Sequence, residues 1–336
     1  MPVRGRVLGR IFKDNALYIK ADSGTGISTI LIDCGENVLR GLTVSEIRSV
    51  DYLLFTHFHF DHVCGFDSFI RHNFNRTEPP VRIFGPPGTI KYVSNRLNSF
   101  EWNLSAAENG NWEITEISPG NIRRVHLSCS DGFSMIQHEE ERSSDLPGVI
   151  VSQPHFTIEA ALLDHKIPVC GYSVTENDHI RFDNEAALAN GLTAGPWITK
   201  LKEAHFKGQC PIMINGKEYD SVELAVKYLS IEKGEKLTCL TDFNYGPEPP
   251  EVLVNFISGS DFLFCESQYL DEDRHLAEEN YHLTPSMAAR LAAAGKVKKL
   301  KLFHFSRRYN LKTADLFVAQ ASEHFQQVEN ALDDKS

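Results

Sequence analysis

The chain has no CxxC pair. Its seven cysteines (Cys34, Cys64, Cys129, Cys170, Cys210, Cys239, Cys265) are odd in number and scattered, which argues against both a disulfide framework and a cysteine-zinc module. Long apolar runs are missing as well: nothing approaches the roughly 18 residues of a membrane span, and "MPVRGRVLGR" at the start carries no apolar core of a signal peptide. The expectation is a cytoplasmic protein with no membrane partner. Positive charge is in deficit, 34 Lys and Arg against 45 Asp and Glu, for a formal net charge of −11. A general attraction for nucleic acid is thereby excluded, and any such partner needs a local basic patch or bound cations that reverse the sign locally. No G-x-S-x-G elbow or Cys/His pairing points to covalent nucleophilic catalysis, and no repeat of fixed period is found.

What is present is an alternation of short apolar runs with helical spacings, which predicts an α/β layered domain over residues 1–336. "ALYIKAD", "STILIDCGE" and "VDYLLF" read as strands, and "TVSEIRSV" as a helix opened by a capping box. Residues 177–235 are more polar and interrupt two strand-like blocks, so they read as an inserted arm. In it Lys200, Lys202 and Lys207 alternate with Trp197 and Phe206, a pattern able to offer cations and stacking surface to RNA or to cover the site of a twofold partner. The arm is expected to project because its polarity suits no core layer. "TADLFVAQASEHFQQVENAL" at the end predicts one amphipathic helix.

The chemistry concentrates in "FTHFHFDHVCGF", residues 55 to 66, where His57, His59, Asp61 and His62 follow the apolar run "DYLLF". In an extended segment alternate side chains share a side, so His57 and His59 can face one point while Phe58 and Phe60 pack opposite. Asp61 and His62 follow where the strand gives way to a loop and can face a second point. Imidazole and carboxylate are ligands of zinc and related cations, so this spacing at a strand end predicts a metal site.

"THFHFDH" resembles the signature of the metallo-β-lactamase superfamily, which implies a four-layer αββα sandwich. Further motifs are similar to the ribonuclease Z branch: "LLDHKIPVCGY", "CLTDFNYG", "HFSRRY", "GLTAGPWITKLK" and "YHLTPSMAARLAAAGKVKKLKLFHFS". Nearly the whole chain is covered. The resemblance implies two divalent metal ions, zinc first with manganese or iron as alternatives. His57, His59 and His165 would hold one, Asp61, His62 and His304 the other, and Asp242 would bridge them. It implies catalytic roles for Asp61, Glu266 and His282, with His282 protonating the departing oxygen, and substrate contacts from Arg308 and Ser306. In the loop that checks the tRNA 3′ end, Lys13 and Asn15 of "FKDNAL" match the family pattern, but its Pro is missing and Asp14 stands where Arg is expected. The implied function is a homodimeric phosphodiesterase cutting precursor tRNA. The alternative is hydrolysis of a small molecule: a cyclic nucleotide or other phosphodiester, and behind these a lactone or thioester.

Overall fold

Alternate residues of the first strands enter two different cores. The computed structural model describes residues 3–22, 26–105, 108–207 and 210–332. Eight strands form one sheet in chain order: β1 (Arg4–Gly9), β2 (Asn15–Asp22), β3 (Ile27–Ile32), β4 (Tyr52–Leu54), β5 (Val81–Gly85), β6 (Asn111–Ser118), β7 (Gly120–Ser128) and β8 (His138–Ser144). Leu17, Ile19, Ile30, Ile32, Tyr52 and Leu54 lie in one buried cluster, and Tyr18, Leu31 and Leu53 in another. This period-two split means the sheet is covered on both faces.

The second sheet begins with β9 (Gly148–Ser152), β10 (Phe156–Asp164) and β11 (Pro168–Glu176). The chain then forms two small sheets, β12 (His179–Phe182) with β15 (Leu229–Glu232) and β13 (Pro211–Ile214) with β14 (Lys217–Asp220). It returns as β16 (Lys236–Leu240), β17 (Phe262–Glu266), β18 (Lys299–Phe303) and β19 (Val328–Asn330), giving the order β19-β18-β17-β16-β11-β10-β9.

The first cluster fills the space between the sheets, joining the β2–β4 residues to Ile158, Tyr172, Leu237 and Leu263, and runs on to Met287 and Phe317 of the helices Pro285–Ala294 and Ala314–Ser322. The second packs the other face of the first sheet on Ile47, Phe69, Ile70, Ile90 and Val93 of three helices. Helix, sheet, sheet and helix follow one another, which is the αββα order. The capping box at Thr43 and Glu46 is formed.

Two bonds tie the sheets together next to the histidine cluster. The Cys170 N–H donates to the Thr56 carbonyl at 2.8 Å, and the fully buried Tyr172 hydroxyl donates to the Phe55 carbonyl at 2.7 Å.

Two expectations need correction. The C-terminal helix ends at Ser322, and Val328–Asn330 pairs in parallel with β18 as an edge strand; the ladder bonds offered by β18 outweigh the helical spacing of the tail. The segment at 177–235 is not coreless. Residues Glu176–Gly234 form a compact unit with their own cluster of Ala187, Leu192, Trp197, Leu201, Ile212, Ile214, Leu224 and Tyr228.

Candidate metal centre

The parallel strands of both sheets deliver their C-terminal ends to the site. β3, β4 and β5 run parallel in one sheet and β16, β17 and β18 in the other. Asp33 follows β3 and His57 lies three residues past β4. Asp242 lies two past β16, Glu266 ends β17 and His304 follows β18. Side chains beyond carboxyl ends of parallel strands are where α/β sheets place ligands. Asp33, Asp242 and His304 all adopt left-handed backbone, with φ of 62°, 54° and 57°, conformations that cost energy for non-glycine residues and cluster at functional sites.

Each predicted ligand falls in this region. The ligand atoms of His57, His59 and His165 lie within 4.8 Å of one another, as do those of Asp61, His62 and His304, and those of His57, His62 and Asp242. His165 sits in the tight turn between β10 and β11. The Asp242 carboxylate faces both groups: Oδ1 is 3.8 Å from His165 Nε2, while Oδ2 is 3.2 Å from His62 Nε2 and 3.6 Å from His304 Nε2. Asp61 Oδ2 is 3.6 Å from both His62 Nε2 and His304 Nε2. The strand gives way not to a loop at Asp61 but to a one-turn helix, Phe60–Val63, with His59 at its N-cap. The change of period turns Phe60 outward, to 81% exposure, whereas Phe58 packs on Phe55 and Tyr92.

Outer partners fix which ring nitrogen faces inward, as the groups that hydrogen-bond to metal-binding histidines do. His62 Nδ1–H donates to Asp33 Oδ2 at 2.8 Å, and His165 Nδ1–H to the Tyr281 carbonyl at 2.8 Å. Asp33 also receives the Thr56 N–H and hydroxyl, at 2.7 and 2.8 Å, so the Thr56 oxygen can accept from His57 Nδ1–H at 3.1 Å. With Nδ1 bonded outward, the Nε2 atoms of His57, His62 and His165 face the cluster. Burial disfavours the charged form of the His62 ring, but Asp242 and Asp33 on either side prevail and push it toward that form, which a bound cation would replace. The Nε2 atoms of His57 and His62, together with Nδ1 of His304, are buried without a hydrogen-bond partner, although His62 Nε2 has Asp242 nearby. Orphaned buried nitrogens require an explanation, and divalent cations fit this donor set of imidazoles and carboxylates.

Charge supports the fit. Burial, reinforced by neighbouring His62, pushes His57 down to about 2, so it is a neutral donor at neutral pH. Burial works against ionisation of Asp242, yet His304 and His62 outweigh it and hold the carboxyl well below its usual range.

Asp33 and Thr56 were not singled out in the sequence; the aspartate closing the apolar run "STILID" was the available signal. Replacing Asp33 by alanine should lower metal affinity about 10- to 100-fold, measured by competition with a chromogenic chelator, with the far-ultraviolet circular dichroism unchanged.

Glu266 and His282, the two residues expected to handle protons, are hydrogen-bonded to each other. His282 Nδ1–H donates to Glu266 Oε2 at 2.9 Å, and Glu266 Oε1 accepts the Phe243 N–H at 2.8 Å. Burial disfavours the charged imidazole, but the adjacent Glu266 prevails and raises His282 to about 9. His282 Nδ1 is 3.8 Å from Asp242 Oδ1, so the pair borders the ligand cluster.

The expected substrate contacts divide. Arg308 lies over Tyr269 and reaches Asp273 at 3.9 Å, and the Tyr269 ring is 5.9 Å from that of His282. Ser306 is half-buried and Lys13 exposed. Asn15 needs correction: it is buried, bonding the Arg10 and Asp14 carbonyls and accepting the His304 N–H at 3.3 Å. Its side chain is committed to holding the His304 backbone. Asp14 is no exposed repulsive charge either. Its buried carboxylate accepts the Glu36 N–H at 2.9 Å and pairs with Arg307.

With two facing sheets, flanking helices and a His/Asp cluster at the strand ends, the molecule has the metallo-β-lactamase fold, which implies divalent metal binding. A profile described as "Beta-lactamase superfamily domain" matches residues 28–182. The structure is similar to the metallo-β-lactamase fold protein YhfI from Bacillus subtilis (TM-score 0.58, 13% identity, covering 98% of this chain and 96% of that one). It is also similar to human tRNase Z, short form (TM-score 0.57, 18% identity, covering 99% and 97%). In sequence it is 34% identical to ribonuclease Z of Deinococcus radiodurans over 303 residues, 90% of each chain. The chain belongs to the ribonuclease Z family, and with that membership it is a hydrolase of phosphodiester bonds. No helix among the described residues is long and apolar enough to cross a membrane.

Proposed function

We propose that this protein is a dinuclear metal-dependent endoribonuclease that cuts the 3′ trailer from precursor tRNA. The supporting observation is the Asp242 carboxylate with one oxygen toward His165 and the other toward His62 and His304, the arrangement a bridging ligand needs. His57, His59 and His165 would hold one cation and Asp61, His62 and His304 the other, with zinc the best match to so many imidazoles. When bound, such a pair supplies Lewis acidity toward a phosphoryl oxygen and a nucleophile drawn from water at neutral pH. His282, kept charged and oriented by Glu266, donates a proton to the departing 3′ oxygen. Arg308 offers its guanidinium to a substrate phosphate, and Ser306 and Lys13 complete the contacts. Cytoplasmic location and a homodimer belong to the same proposal.

The Glu176–Gly234 unit is the candidate grip on the tRNA body. Lys200 is exposed and Lys202 half-buried. Trp197 is excluded as a stacking surface because its ring packs on Phe182 and its indole N–H donates to the Thr193 carbonyl; the side chains of Phe206 and Lys207 lie outside the described residues. Thr175 and Lys236 are direct partners across β11 and β16, so a short turn can replace the whole unit. Wild-type protein should cleave precursor tRNA after the discriminator base. The excised variant should lose that cleavage by roughly a hundredfold or more, as expected when several phosphate contacts go, while still hydrolysing a small phosphodiester. Turnover of small esters with no cutting or binding of precursor tRNA would assign the protein to small-molecule hydrolysis instead.

A further inference from the structure

Phe60 is the anomaly at the centre's edge. Phe55 and Phe66 are buried and Phe58 is packed, yet Phe60, in the same stretch, is 81% exposed. Singly exposed apolar residues are ordinary on a protein surface; what separates this one is its position. It lies between His59, itself exposed and with its ring 5.1 Å from that of His165, and Asp61, whose carboxylate is 3.6 Å from His62 and His304. It opens the helix Phe60–Val63, so its backbone is fixed by the same turn that presents Asp61 and His62.

A second exposed aromatic packs on the same stretch. Two residues earlier, Phe58 carries the Tyr92 ring at a centroid distance of 4.9 Å, and Tyr92 is 48% exposed. Lys91 Nζ lies 5.9 Å from the centre of the Tyr92 ring. Exposed aromatic faces with an adjacent cation are what single-stranded nucleic acid binds: bases stack on the rings and phosphates meet the ammonium.

We infer that Phe60 is a stacking platform for the unpaired nucleobase next to the scissile phosphate, with Tyr92 and Lys91 continuing the surface along the strand. This rests on the endoribonuclease proposal above. Phe60 is neither one of the proposed ligands nor a member of the Glu266–His282 pair. Its effect is on where the phosphodiester sits, through the base attached to it, and it tolerates any base because every base has a π face.

The test compares intact precursor tRNA with the same RNA carrying an abasic nucleotide on one side or the other of the cleavage site, using wild type, Phe60→Ala and Phe60→Trp. Wild type should prefer the intact RNA by roughly tenfold in kcat/KM over one of the abasic forms, a typical single-base stacking effect. Phe60→Ala should cleave the intact and that abasic RNA alike, and Phe60→Trp should restore the preference, with bound metal per chain unchanged in both. Phe60→Ala matching wild type on intact RNA, or losing the same factor on intact and abasic RNA, would overturn the stacking role alone. Wild-type protein that cuts no RNA would overturn the role together with the proposal beneath it.

Discussion

Asp242→Ala should reduce phosphodiester hydrolysis by roughly a thousandfold or more, because bridging and charge compensation are lost together. Its carboxylate is buried and faces His62, His165, His304 and His282 at 3.2–3.8 Å, so truncating it removes the one group placed between both histidine sets by these distances. The variant should also bind fewer than two metals per chain by elemental analysis of dialysed protein. Asp242→Asn keeps the shape and one oxygen, and should bind metal better than the alanine variant while remaining far below wild type. Full activity of Asp242→Ala, or activity that survives a strong chelator, would remove the dinuclear mechanism.

His282→Ala should have the next largest effect, and one that depends on the substrate. A positioned general acid contributes about 10²- to 10⁴-fold. The loss on RNA, whose leaving 3′ oxygen needs a proton, should approach that range. A p-nitrophenyl ester departs as a stabilised phenolate and should lose less than about tenfold on the same principle. Both metals should stay bound, since His282 already gives Nδ1–H to Glu266. Equal losses on the two substrates would take His282 out of proton transfer and make it a support for Asp242.

The candidate ligands could be picked out in the sequence because imidazole and carboxylate declare their chemistry wherever they stand, and each follows an apolar run long enough to be a strand. What surrounds them was not readable in the same way. Thr56 and Asp33 have no metal signature, and their roles arise only because β3 and β4 lie side by side and bring them to 2.7–2.8 Å. Asn15 looked like a substrate contact until the fold brought it beneath His304, 289 positions away. Phe60 was misassigned because a period of two was carried one residue too far, past the start of a helix. The tail "VEN" becomes a strand only through β18, a partner that no local window contains. Trp197 was placed on the surface of a polar segment, but a few apolar residues spaced through 187–228 suffice to enclose it.

The division of the donors between the two sheets has a thermodynamic consequence. His57, His59, Asp61 and His62 hang from the first sheet, and His165, Asp242, Glu266, His282 and His304 from the second, with the Tyr172 and Cys170 bonds joining the two beside them. A partly folded chain with one sheet formed would own only half of the proposed coordination sphere. Cations therefore discriminate sharply between the native state and everything short of it, and mass action adds RT ln(1 + [M]/Kd) to native stability, about 4 kcal/mol at a thousand times Kd. Melting temperature should thus climb with free metal concentration, and scarcity of the ion would leave the chain more open to proteolysis, so that its abundance in the cell would track metal supply.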